Sequence, residues 1–373
     1  MSHHETEVVI TGCGWVTPFA SGTVRDVLSA LSTSNVAAAN APPATPTPGN
    51  NGFLPVPDAT MQAFANISKE IRQDKGAWMT AVAVEYAFED AGLDRTTIAP
   101  ERLGMVLGCA LAGQTGMIQF AGEVREQSAR FVSPINFPQT VGNFIAGAIA
   151  RAYNVRGPNL TLAAGTASGL DAVCEATALL RSNRADIILA GGTEALTNTL
   201  ATALCGTGFQ PVRVPQDDAK PQPATGGMAK RSAAMLSPDG FLAEGACWFI
   251  LERAVDAAKR GARIHATIRT WTHRHTGSSQ EVPDPCHPAQ PSPIVSTAGL
   301  RLPAADHIQD RIGFAPGAAG ASALAAAIGA TTESSLPSSL TTGGPRRVPT
   351  RVRILAGDDH SHLTSLEVDL PTP

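Results

Sequence analysis

The sequence predicts an α/β fold, and three observations predict it. Alanine and glycine are abundant while aromatic residues are only 5% of the chain, a composition suited to helices packed closely on sheets. Short apolar runs with strand character alternate with longer segments of helical period. The best-defined block, Ser133 to Ala195, runs in succession through a helix, a short strand, a tight glycine turn, a second helix and a buried strand. At 373 residues the chain is long enough for two domains or for one large duplicated unit.

From the N-terminus, Glu7 to Thr11 reads as a strand running into the turn Gly12-Cys13-Gly14 and Thr17-Pro18. A helix follows over about 23–31, and residues 37–60, rich in Ala, Pro, Thr and Asn, read as a surface loop. Lys75 to Ala91 carries a helical period closed by Gly92, and Leu103 to Leu107 is the next strand. The loop SPINFP precedes a helix over 141–153 and a strand over 160–163. The turn Gly165-Thr166-Ala167-Ser168-Gly169 then starts a helix over 170–182, and the strand Ile187 to Ala190 is closed by Gly191-Gly192. Residues 211–232 read as a loop, 240–252 as a turn and buried strand, 254–261 as a short helix and 264–268 as a strand. Residues 272–298, rich in His, Pro, Ser and Thr, read as a linker or eroded segment. An Ala-rich helix over 318–330 and strands over 352–355 and 363–368 close the chain, with low-complexity sequence over 331–350.

Composition also excludes partners. The formal charge of -4 includes no long run of one sign, so neither nucleic acid nor an anionic membrane surface is expected. The segment MSHHETEVVITG lacks the basic flank and apolar stretch of a secretory signal, and no unbroken apolar run suits a membrane span. The six cysteines form no CxxC pair, which fits a reducing, cytoplasmic setting. The turn at 12–14 is not GxGxxG and no Walker sequence occurs, so no nucleotide or other cofactor is expected. His273, His275 and His287, with Cys286, follow no ligand spacing and no metal site is expected. His3 with His4, and His360 with His362 beside Asp358 and Asp359, read as polar surface.

Five blocks resemble, in order and wording, the β-ketoacyl synthase family. They are Val9-Ile10-Thr11-Gly12 with Gly14 and Pro18, SPINFPQTVGN at 133–143, GPNLTLAAGTASGLDAV at 157–173, ILAGGTEA at 188–195, and PDGFLAEGACWFILERAVDAAKRGARIHA at 238–266. The resemblance implies a thiolase-like fold: duplicated βαβαβαββ halves in an α-β-α-β-α layering, with the C-terminal half shortened. The halves would be 1–253, resembling the N-terminal ketosynthase half, and 254–373.

The resemblance also says where the chemistry should be. The family nucleophile is a cysteine at the turn that begins the helix after Gly-Pro; aligning Gly157-Pro158 and Ser168-Gly169-Leu170-Asp171 places Thr166 there. A threonine hydroxyl is barely ionised at neutral pH and needs an adjacent base to attack a thioester. Cys174 lies two turns inside the helix and reads as core. Of the two family histidines that steady the enolate, the one before Gly317-Ala318-Ala319-Gly320 is replaced by Phe314. No His-Gly-Thr triplet occurs, since His275-Thr276-Gly277 only scrambles it, and the last lysine is Lys259.

These losses resemble those of chain-length factors, which pair with an active ketosynthase. The leading expectation is a catalytically deficient homologue of fatty acid or polyketide synthesis acting as a dimer partner or acyl-binding subunit, a homodimer or a heterodimer with an active ketosynthase, with acyl carrier protein as a further partner. The strand 160–163 is the counterpart of the one that pairs across the family dimer axis, and Phe137, Phe144, Phe241 and Phe314 are candidate acyl-pocket walls beside ordinary core packing. One alternative is an acyltransferase or condensing enzyme with Thr166 as nucleophile, activated by His275 or His307. Another is a structural homologue without an acyl pocket.

Overall fold

The computed structural model describes residues 6–33, 53–64, 66–111, 114–128, 130–196, 242–275, 294–296, 305–306, 316–332, 351–357 and 362–371. The strands are β1 (Val8–Val16), β2 (Ser21–Thr23), β3 (Phe53–Leu54), β4 (Leu103–Gly108), β5 (Asn159–Leu162), β6 (Ile187–Glu194), β7 (Leu242–Ala243), β8 (Gly245–Arg253), β9 (Ala266–His275), β10 (Ile294–Ser296), β11 (Ala305–Asp306), β12 (Arg351–Gly357) and β13 (His362–Asp369). The helices that matter below are α1 (Val24–Thr33), α2 (Lys75–Ala91), α3 (Gln114–Gln127), α4 (Phe144–Tyr153), α5 (Ser168–Arg181), α6 (Ala254–Lys259) and α7 (Ala319–Thr332).

The main sheet repeats one pattern twice. In the first half the order is β5-β4-β6-β8-β1, in which β5, β4 and β6 are parallel and β8 is antiparallel to both β6 and β1. In the second it is β11-β10-β12-β13-β9, with β11, β10 and β12 parallel and β13 antiparallel to both β12 and β9. The halves join where β1 runs antiparallel to β9, Val8 opposite Ile268. Helix α5 follows β5 as α7 follows β11, and the two helices pack on each other.

Two cores result. The central one buries Leu170, Val173 and Leu180 of α5 with Leu324 and Ile328 of α7 between strands of both halves. The outer one packs α2 and α4 on the other face of the first half, around Trp248, Ile250, Leu107 and Met105. Helix α2 is capped as its sequence requires. The Asp74 side chain accepts from Ala77 N–H at the start, and Gly92 ends the helix at φ 57°.

Several expected boundaries are corrected. Strand β1 does not turn at Gly12-Cys13-Gly14 but continues to Val16. These glycines serve close packing, because a Cβ at Gly12 would lie 2.1 Å from the Ala87 carbonyl and one at Gly14 1.9 Å from that of Ala83, both on α2. Strand β6 likewise passes through Gly191-Gly192 to Glu194. Strand β9 extends to His275 because Thr267 to His275 pairs along β13, so the eroded reading of 272–275 is wrong. Short strands β10 and β11 and helix α3 were not anticipated, and α4 starts at Phe144 after a 3-10 segment, Pro134–Thr140. The expected loop over 211–232 lies outside the described residues, as does most of that over 37–60.

Candidate functional site

Strand β5 ends at Leu162, and the chain turns through the 3-10 segment Gly165–Ala167 directly into α5. Gly165 makes the elbow possible: its φ of 66° lies in the left-handed region, while a Cβ there would meet nothing within 4 Å, so conformation and not space demands glycine. Ser168 locks the turn. Its Oγ accepts from the Ala164 N–H at 2.8 Å, and its hydroxyl faces the carbonyls of Gly165 at 2.7 Å and Cys109 at 2.9 Å.

The elbow is then boxed in by backbone. A Cβ on Gly108 would lie 2.2 Å from the Ser168 carbonyl oxygen, and one on Gly192 2.3 Å from that of Gly317, at the start of the α7 segment. The Gly317-Ala318-Ala319-Gly320 start legible in the sequence is therefore seated against the elbow.

Thr166 sits at this elbow, 1% exposed. Its Oγ1 is buried and has no hydrogen-bond partner among the described residues. An alkoxide needs a base to take the proton, and among the described residues none reaches this hydroxyl. Cys174, further along α5, is also 1% exposed, and burial pushes its thiol well above the ordinary range, which suits a core residue.

Beneath the elbow lies a group whose role sequence reasoning missed. Glu194, at the end of β6, is fully buried and accepts from the backbone N–H groups of Ala110 at 2.9 Å, Leu111 at 3.2 Å and Gly317 at 2.9 Å. Burial raises its pKa to about 7; the three N–H groups oppose the rise and the charge of Glu244 adds to it. Glu194 thereby ties the end of β4 to the start of α7. The available signal was an acidic residue closing an apolar strand in ILAGGTEA. Glu244 is held separately, by Lys75 Nζ at 2.5 Å and the N–H groups of Val56 and Leu196.

The other expected site residues are dispersed. Phe137 is 56% exposed and meets Phe120 edge to face, with ring centroids 5.8 Å apart. Phe144 packs, partly buried, on the outer core. Phe241, Phe314 and His307 lie outside the described residues, and of His275 only the backbone in β9 is described. What the structure does bring together, unforeseen, is Asp171 of α5 with His273 of β9 and His362 of β13. No helix among the described residues is long and apolar enough to cross a membrane.

A sheet that repeats one strand pattern twice, with a strand-to-helix elbow between β5 and α5, is the architecture of the thiolase-like class. The model of the β-ketoacyl synthase N-terminal domain matches residues 5–257, and the chain belongs to the β-ketoacyl synthase family. It is 29% identical over 284 residues to the tetracenomycin polyketide synthase ketoacyl synthase alpha subunit of Streptomyces glaucescens, covering 73% of this chain and 63% of that one. It is 27% identical over 279 residues to 3-oxoacyl-[acyl-carrier-protein] synthase 2 of Coxiella burnetii, covering 70% of this chain and 61% of the relative. The chain thus spans less than two thirds of the length of these relatives. Among solved structures, the ishigamide ketosynthase/chain length factor matches with TM-score 0.70 at 16% identity, covering 98% of this chain and 100% of that one. A type II polyketide synthase acyl-carrier protein in complex with its ketosynthase bound to the hexaketide matches with TM-score 0.69 at 17% identity, covering 99% and 100%. These likenesses show the fold.

Proposed function

We propose that this chain is a ketosynthase homologue of polyketide or fatty acid synthesis that does not itself condense acyl units and acts by binding, as the dimer partner of an active ketosynthase. The observation that carries the reading is the buried hydroxyl of Thr166, without a hydrogen-bond partner among the described residues, where the resemblance puts the family's sulfur. A thiolate at a helix N-terminus is readily formed and attacks a thioester. A threonine there without a base is not. The replacement of a family histidine by Phe314 points the same way, since a phenyl ring donates no hydrogen bond to an enolate.

Support for a partner comes from the edge of the sheet. Among the described residues β5 pairs only with β4, leaving its other edge open, and Leu160 on it is 37% exposed. Met117, Phe131, Phe137 and Val141, on the segment between β4 and α4, also expose apolar surface. An open strand edge is a surface proteins normally cover, and a second ketosynthase-like subunit is its occupant in this reading. The solved ketosynthase/chain length factor, which shares the fold, supports a ketosynthase partner, and the solved ketosynthase with its acyl-carrier protein supports a carrier protein as a further one.

The test is turnover of acyl- and malonyl-carrier proteins by the purified chain alone and mixed with a ketosynthase encoded beside it. Enhanced or redirected turnover in the mixture alone supports the reading. Condensation by the isolated chain, abolished by Thr166→Ala, overturns it.

A further inference from the structure

Asp171, His273 and His362 are far apart in sequence and come from α5, β9 and β13, so only the tertiary structure joins them. Pairing of β9 with β13 places His273 opposite Thr364 and brings its ring against that of His362, nearly parallel at 16° with centroids 5.7 Å apart. Both rings direct a nitrogen at one carboxylate: His273 Nδ1 lies 3.3 Å from Asp171 Oδ1, and His362 Nε2 lies 3.0 Å from Asp171 Oδ2. Thr364, fully buried, donates its hydroxyl hydrogen to Asp171 Oδ1 and sits 3.1 Å from His273 Nδ1 and 3.2 Å from His362 Nε2.

We propose that Asp171, His273 and His362 form a binding site for a divalent transition-metal ion, with Thr364 positioning the carboxylate. The spacing fits such an ion. Bonds of about 2.0–2.1 Å in a tetrahedral shell put neighbouring donors about 3.3 Å apart; the two His–Asp separations, 3.0 and 3.3 Å, are of that size, and one donor atom from each of the three residues lies within 4.8 Å of the others. The donor set fits as well: two imidazoles and a carboxylate suit zinc and its neighbours better than magnesium or calcium, which favour oxygen. The Asp171 side chain is 8% exposed and that of His362 15%, whereas that of His273 is 41% exposed. The ion would therefore reach solvent on the His273 side, where a water completes its shell. Its ligands come from two strands of the second half and from the first turn of α5, five residues beyond Thr166, so the ion would clamp the elbow helix to β9 and β13.

The bland reading is a hydrogen-bonded Asp–His–Thr cluster, and zinc binding decides between the two. Full-length protein treated with chelator is titrated with Zn²⁺ against a chromophoric competitor, and with Co²⁺ as a spectroscopic probe. One equivalent bound, with visible cobalt absorption of tetrahedral intensity, is expected. His273→Gln and His362→Gln should each lower zinc affinity by at least about 100-fold, with unchanged far-UV circular dichroism. His273 is exposed enough that its variant should fold. Stoichiometric binding that survives in the double variant would put the ion elsewhere and overturn the proposal, as would the absence of binding by the wild-type chain. Neither outcome depends on turnover, so failure here leaves the proposed function standing.

Discussion

Replacing Glu194 by glutamine tests the physics under the elbow. The carboxyl ionises at about 7 in the folded chain against an ordinary value of 4.5. Below pH 4.5 it is protonated in both states and favours neither. Between 4.5 and about 7 the unfolded chain releases its proton while the folded chain keeps it, so the stability this group contributes falls as pH rises and is lost above about 7. At about 1.4 kcal/mol per pH unit the loss amounts to about 3 kcal/mol. Burial wins over three backbone N–H bonds because they solvate the carboxylate less completely than water does. Glutamine keeps the shape and cannot ionise. Whatever constant penalty its amide incurs against the N–H groups, the pH dependence of Glu194→Gln should lack this component. The assay is urea unfolding followed by tryptophan fluorescence at fixed protein concentration, from pH 4.5 to 8, for both proteins. The wild-type minus variant stability should fall by about 3 kcal/mol across that window. Parallel profiles would refute the assignment of a perturbed carboxyl to this site.

Gly192→Ala would drive a Cβ to 2.3 Å from the Gly317 carbonyl and 2.8 Å from Ala318 Cα, backbone that has little room to yield; thermal or urea unfolding should show at least about 2 kcal/mol of destabilisation. Trp248→Phe removes the indole N–H that donates to Thr193 Oγ1 at 2.9 Å, within the buried link of Thr193 to Thr80 at 2.8 Å, and denaturant titration should record a loss of about 2–3 kcal/mol. Leu160→Asp puts a charge on the open edge of β5. Light scattering of the chain mixed with an active ketosynthase should then show loss of the proposed complex, while circular dichroism of the chain stays unchanged.

The sequence by itself determined more of the fold than of the site. Local signals sufficed for α2, with Asp74 before it and Gly92 after it, and for the elbow, where a glycine-rich turn between apolar runs has few other conformations open to it. The place of Thr166 in the turn before α5 was legible for the same reason, since it depends on neighbours in the chain. Glycine was misread in the strands. At Gly12, Gly14, Gly191 and Gly192 it marked places where other backbone presses on a continuous strand, and that pressure comes from residues distant in sequence. The same limit hid Glu194, which needed Gly317 to complete its ring of N–H groups. It also hid the Asp171, His273 and His362 cluster: the sequence reads His273 as part of a set without ligand spacing and His362 as polar surface, and the pairing of β9 with β13 corrects that by bringing both rings onto Asp171, with the His362 side chain only 15% exposed. Side-chain chemistry at a site depends on distances of a few ångströms between remote residues, and only the packed chain fixes those distances.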